Sequence, residues 1–153
     1  MEMPQVRPYS PADRDDVLAL APRLTEGVAT WRDPDAVLDA VVGWVRGSID
    51  AAGEPDHLVL VATADGRVVG FVTAEEHRHW SGGSDAYIGE LVVDPTAEGH
   101  GIGRALVDAV HEWAKVRDLG AVTLETGAAN ARARGFYAAI GFAEEDVRLT
   151  RQL

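Results

Sequence analysis

The sequence predicts one mixed α/β (α+β) domain, with helices covering a central sheet in the order β-α-α-β-β-β-α-β-α-β. Apolar residues recur at helical spacing through the first third of the chain. Short strand-like runs with a strong hairpin signal follow in the middle. A long amphipathic helix then separates two further short strands. Layering helices on a sheet buries all of these apolar faces at once. The chain's 153 residues suit a single domain over 1–153, large enough to bury a real core.

Gln5 to Tyr9 reads as a short first strand, closed by Pro8 and the turn residues Ser10-Pro11. Ser10 supplies a capping hydroxyl, Pro11 suits the first turn and Asp13 is an early acid, so a helix starts there. Val17, Leu18, Leu20, Ala21 and Leu24 continue it at helical spacing. A second helix opens at Asp33-Pro34 and ends near Gly53, with Val37, Leu38, Val41, Val42, Val45 and Ile49 as its apolar set and Trp44 expected in the core. Leu58 to Ala62 is a short apolar, partly β-branched run, Asp65-Gly66 a two-residue hairpin turn, and Arg67 to Ala74 the returning strand. Ala86 to Val93 is a fourth strand, stopped by Asp94-Pro95. The amphipathic helix runs from Ile102 to about Asp118, with Ile102, Leu106, Val110 and Trp113 on one stripe. Ala121 to Thr126 reads as a strand, Ala131 to Ile140 as a helix and Phe142 to Leu149 as a last strand.

Composition narrows the function. There is no cysteine, which excludes disulfides, thiolate metal sites and a cysteine-bound acyl group. The net charge is −11, and almost all of it lies before Glu98. Phosphate-rich polymers bind basic surfaces, so nucleic acid is not an expected partner; a cationic one suits the acidic half better. No apolar run reaches bilayer length, and Met1-Glu2-Met3-Pro4 is not a basic start followed by an apolar stretch. No membrane partner and a cytoplasmic location are therefore expected.

The most informative stretch is Leu91-Val92-Val93-Asp94-Pro95-Thr96-Ala97-Glu98-Gly99-His100-Gly101-Ile102-Gly103-Arg104-Ala105-Leu106. A strand ends, three alternating glycines follow, and a helix begins at once. Glycine permits positive φ and close approach by a ligand. The first helical amides have no internal partner and point outward at the positive end of the dipole, which makes a pyrophosphate pocket. Gly103 is followed by Arg104-Ala105, not by the Lys-Ser/Thr of a nucleotide-hydrolase loop, and position 104 is arginine where a dinucleotide fingerprint needs its third glycine. The second informative stretch is Asn130-Ala131-Arg132-Ala133-Arg134-Gly135-Phe136-Tyr137-Ala138-Ala139-Ile140-Gly141-Phe142.

The G-x-G-x-G loop resembles the acetyl-CoA pyrophosphate loop of the GNAT superfamily of N-acetyltransferases. The second stretch fills every marked position of that family's N-x-x-A-x-x-F-Y-x-x-x-G-F segment, in the right order, and the likeness runs from Tyr87 to Phe142. The resemblance implies a GNAT fold, with a mixed sheet of six to seven strands and about four helices. It implies acetyl-CoA as acetyl donor, with the amides from Gly99 through His100, Gly101, Ile102 and Gly103 to Arg104 on the pyrophosphate. Leu91, Val92 and Val93 would pair with the pantetheine arm as a strand edge pairs with a peptide, and Asn130 would touch that arm. Tyr137 would lie beside the thioester sulfur and protonate the departing thiolate; its other reading is a core tyrosine packed beside Phe136.

Glu90 stands where many relatives place the carboxylate that deprotonates the amine. A structural ion pair would equally account for an acid in Tyr87-Ile88-Gly89-Glu90-Leu91-Val92-Val93. Trp31, His79, Trp80 and Glu125 are candidate acceptor contacts, and Trp44 could also stack on a ligand or a cation if it is not in the core. His77 and His79 lie close together, but no further ligands gather near them in sequence, so no metal is expected. Glu98 departs from the family pattern, which has arginine or glutamine there; beside pyrophosphate it is expected to weaken coenzyme A binding, with Arg104 a candidate to compensate. Three functions follow from the resemblance: acetylation of a small, cationic amine; acetylation of a protein lysine or amino terminus; or acyl-CoA sensing without catalysis. A homodimer is among the assemblies it allows.

Overall fold

The computed structural model describes residues 2–153. Its order is β1 (Gln5–Pro8), α1 (Arg14–Leu20), α2 (Pro34–Asp50), β2 (His57–Ala64), β3 (Arg67–Arg78), β4 (Ser84–Val93), α3 (Ile102–Val116), β5 (Val122–Leu124) and α4 (Ala131–Ala139). Tight turns at Pro11–Asp13, Ala21–Thr25 and Pro95–Ala97 join them. The sheet is ordered β1-β2-β3-β4-β5, antiparallel except for the parallel β4–β5 pair.

Local chemistry sets the boundaries. Asp33 caps α2 by accepting from the Ala36 amide at 3.2 Å, and Pro34 fills the first helical position. Asp65 and Gly66 both take positive φ, the signature of a hairpin turn that matches strand twist. The bidentate Arg7–Asp13 pair, at 2.8 Å on each oxygen, ties β1 to the turn before α1.

Each sheet face carries its own core. Val17, Ala21, Val45 and Ile49 from the α1–α2 side pack on Val59, Val61, Val68, Phe71 and Val92. Ile102, Leu106, Val107, Val110 and Ala114 of α3 pack on Leu60, Ala62, Val69, Val72, Ala74, Ala86 and Ile88.

Three expectations are corrected. The sheet has five strands rather than six to seven: Phe142 to Leu149 forms no strand, and residues 143–153 are exposed and irregular. Glu144-Glu145-Asp146 is a poor strand former, and β5 offers an edge only three residues long. Trp44 is 61% exposed rather than in the core, because it lies on the flank of the Val41-Val45-Ile49 stripe. The third strand runs on to Arg78, so His77 lies within it, whereas Glu125 falls one residue beyond β5.

Candidate active site

The site is built around the place where β4 and β5 part. They pair only at Ala86–Val122, Tyr87–Thr123 and Ile88–Leu124. From Gly89 to Val93, β4 keeps β3 on one side and has no β5 partner on the other. Leu91, Val92 and Val93 therefore present a free strand edge. Leu91 and Val93 turn their side chains to the α3 core, and Val92 turns to the α1–α2 core.

The register shifts at this point, with Thr73 opposite Glu90 and Ala74 opposite Ile88, leaving Gly89 as a bulge. By simple alternation Glu90 would face α3 with Ala86 and Ile88; the bulge turns it to the α2 side instead. Glu90 is only 4% exposed. Ser48 of α2 donates its hydroxyl to Oε2 at 2.9 Å and Oε1 at 3.2 Å. Thr73 donates to Oε2, and its own oxygen accepts the Glu90 amide at 3.0 Å. That amide fixes the threonine's hydroxyl proton toward the carboxylate. Burial raises the Glu90 pKa, the two hydroxyls partly offset this, and Glu75 adds a smaller upward push. No cation pairs with Glu90 among the described residues, so the ion-pair reading is not what holds it there.

The glycine loop follows. Gly99 and Gly101 take φ of +79° and +75°, and Gly101 is the N-cap of α3. Gly103 serves close packing: a Cβ there would lie 3.1 Å from Cζ of Phe136. The two sequence motifs therefore meet physically. His100 Nδ1 lies 3.0 Å from the carbonyls of Ala97 and Glu98, pinning the loop's rise. Asp94 braces its start, accepting from the Thr96 amide at 2.9 Å and hydroxyl at 2.8 Å. The Ile102 side chain belongs to the core, so only its backbone is available to a ligand.

On α4, Asn130 caps the helix by accepting from the Ala133 amide at 3.1 Å. Tyr137 is half-buried between Phe136 and Phe142, with ring centroids 5.3 and 5.5 Å away, and burial raises its pKa. Arg104 is exposed and paired with Asp108 at 3.8 Å, away from Glu98.

The acceptor candidates separate. Glu125 joins Glu90 and Glu75 around Tyr87, whose pKa is raised by burial first and then by these three charges. His79 lies 2.6 Å from the Ser81 hydroxyl and packs at a tilt against Trp80, which is 89% exposed. Trp31 is exposed in the turn before α2. The one three-residue group of close metal-ligand atoms among the described residues is Glu54, Asp56 and His57, on the surface before β2, and it includes neither His77 nor His79. Sequence reasoning missed Ser48 and Thr73, neither of which carries a signature of its own.

The family model described as "Acetyltransferase (GNAT) family" matches residues 22–142. An uncharacterised N-acetyltransferase of Methanocaldococcus jannaschii is 37% identical over 58% of this chain, but that match spans 40% of the relative's own length. The aminoglycoside N(6')-acetyltransferase type 1 of Stenotrophomonas maltophilia is 29% identical over 94% of this chain and 88% of its own. Among solved structures, a putative acetyl transferase from Pyrococcus furiosus superposes with a TM-score of 0.78 at 20% identity, covering 98% of this chain and 99% of that one. AAC(6')-Iy, solved with the bisubstrate analogue CoA-S-monomethyl-acetylneamine, superposes at 0.70 and 20% identity, covering 98% of each chain.

Proposed function

The chain belongs to the GNAT acetyltransferase family, and from that premise we propose that it moves the acetyl group of acetyl-CoA directly to a primary amine of a small, cationic molecule. The observation that carries this reading is the free edge of β4 at Gly89–Val93, with the glycine loop at its end and buried Glu90 on its side. Positive φ at Gly99 and Gly101 and the unpartnered first amides of α3 fit a pyrophosphate, and the strand edge fits an amide-bearing arm.

Acetyl-CoA supplies a thioester carbonyl open to attack by a neutral amine. Glu90 takes the proton of the incoming ammonium through a water, and the burial that raises its pKa makes it a stronger base for that task. The amide of Val92 or Val93 donates to the carbonyl oxygen as negative charge gathers there. Tyr137 donates its phenolic proton to the departing thiolate. Glu75, Glu125 and Tyr87 form an acidic, half-open wall that favours a cation. The exposed Trp44 ring offers it a face one turn from Ser48.

The test is acetyl-CoA-dependent thiol release across polyamines, aminoglycosides, amino acids, arylamines and lysine or N-terminal peptides. Turnover is expected with a small cationic amine. Glu90→Gln should lower kcat roughly 100-fold or more and Tyr137→Phe at least about tenfold. Turnover confined to the peptides would replace this reading with a protein acetyltransferase. Coenzyme A binding with silence across the whole panel would favour a sensor.

A further inference from the structure

The rim of the glycine loop holds a charge cluster that the proposed chemistry does not use. Glu98, the residue before Gly99, pairs with arginines from two distant segments. Arg23 Nη2, from the Ala21–Thr25 turn, lies 2.8 Å from Oε1, and Arg132 of the first turn of α4 donates to Oε2. The Arg132 hydrogen bond, with help from Arg23, holds the Glu98 pKa below the ordinary carboxylate value, so the acid stays ionised. Arg23 Nη2 also lies 3.4 Å from the more exposed Glu26, so two anions and two cations meet at this rim.

Arg23 is the unusual member. Its side chain is only 21% exposed, and its second terminal nitrogen, Nη1, is buried without any hydrogen-bond partner among the described residues. Folded proteins leave few buried donors empty, so this guanidinium has hydrogen-bonding capacity left over. The segment carrying Arg23 is also held against the base of α4. A Cβ on Gly27 would fall 2.3 Å from Asn130 Cβ, and one on Gly127 would fall 2.1 Å from the Gly27 carbonyl oxygen. Through Glu98 both guanidiniums are held at the residue that precedes Gly99.

We propose that Glu98 acts as a tether, holding Arg23 and Arg132 at the rim of the glycine loop as side-chain ligands for the phosphates of coenzyme A. The planar fork of arginine matches phosphate oxygens. The loop amides form the backbone half of the phosphate site, and the two arginines form its side-chain half. The carboxylate that would repel phosphate on its own is spent on orienting the groups that attract it. This rests on the acetyl-CoA reading, and the test separates the two.

Coenzyme A is titrated calorimetrically into the purified protein and into Arg23→Gln, Arg132→Gln and Glu98→Gln, at several salt concentrations. Circular dichroism and melting verify each fold. Arg23→Gln is expected to weaken binding roughly tenfold, Arg132→Gln and Glu98→Gln by about threefold or more. Both arginine variants should show a shallower dependence of affinity on salt. If Arg23→Gln folds poorly, Arg23→Lys keeps the charge and should bind more weakly while retaining the salt dependence. Tighter binding by Glu98→Gln would show that its carboxylate merely repels, and unchanged binding by both arginine variants would remove the side-chain half; either overturns the proposal. No binding by the wild-type chain would overturn the acetyl-CoA reading itself.

Discussion

Glu90 reaches its place because β4 carries one extra residue. Without the bulge at Gly89 the carboxylate would point into the α3 core, among Ala86, Ile88 and Leu106. Glycine suits the bulge, since a Cβ there would sit 3.3 Å from the Thr73 hydroxyl that grips Glu90. The identity of the acid was legible in the sequence, because a carboxylate in a strand core needs a reason. Its partners were not: Ser48 and Thr73 lie 42 and 17 residues away, and a lone serine or threonine has no signature. These hydroxyls favour the ionised form, while burial and the Glu75 charge oppose it, with Tyr87 the other titratable neighbour. Catalysis needs the ionised form, so the acid limb of kcat/KM should follow the Glu90 pKa. Ser48→Ala removes a bond to the carboxylate, raises that pKa further and should move the limb to higher pH. Ser48→Thr should restore it. A limb that stays in place in Ser48→Ala, while Glu90→Gln is inactive, would show that the serine is only a packing residue.

At the scale of elements, most of the chain announced itself. Asp33-Pro34, Asp65-Gly66 and Asp94-Pro95 marked where α2, the β2–β3 hairpin and β4 begin, turn or end. The departures come from tertiary effects: β3 gains four residues because β4 is long enough to pair with them, and Trp44 is exposed because α2 covers only part of the sheet. Close packing between elements was the hardest to see. Gly70 of β3 lies so near β4 and α3 that a Cβ would fall 2.8 Å from the Val92 carbonyl oxygen and 3.2 Å from Cγ2 of Ile102. Neither is a flexible side-chain tip, so the strands must separate to admit it. Gly70→Ala is expected to cost roughly 1–3 kcal/mol, or about 6 °C in Tm. It should also lower kcat more than it raises KM, because the displaced peptide is the one assigned to the reacting carbonyl. An unchanged Tm would mean that β4 has slack there, and that the Val92–Val93 peptide, with the Val93 amide, is not rigidly placed.

Across the whole molecule, stability and chemistry are divided between two cores and the seam at β4. The α3 core holds the glycine loop against the sheet, the α1–α2 core holds Glu90, and α4 contributes Tyr137 with no fully buried residue of its own. Sequence periodicity foresaw both cores, since each is a helical stripe laid on a strand face. It also foresaw a last strand from Phe142, with Val147 and Leu149 as its apolar positions; here both are exposed, beyond the acidic Glu144-Glu145-Asp146 run. Side chains already in solvent contribute little to folding, so deleting residues 146–153 should change Tm by no more than about 2 °C. Far-UV circular dichroism should then show no loss of strand. The deletion should leave coenzyme A affinity within about twofold, because the glycine loop, Glu98 and both of its arginines remain. A fall in Tm of about 5 °C or more would mean that Val147 and Leu149 are covered in solution.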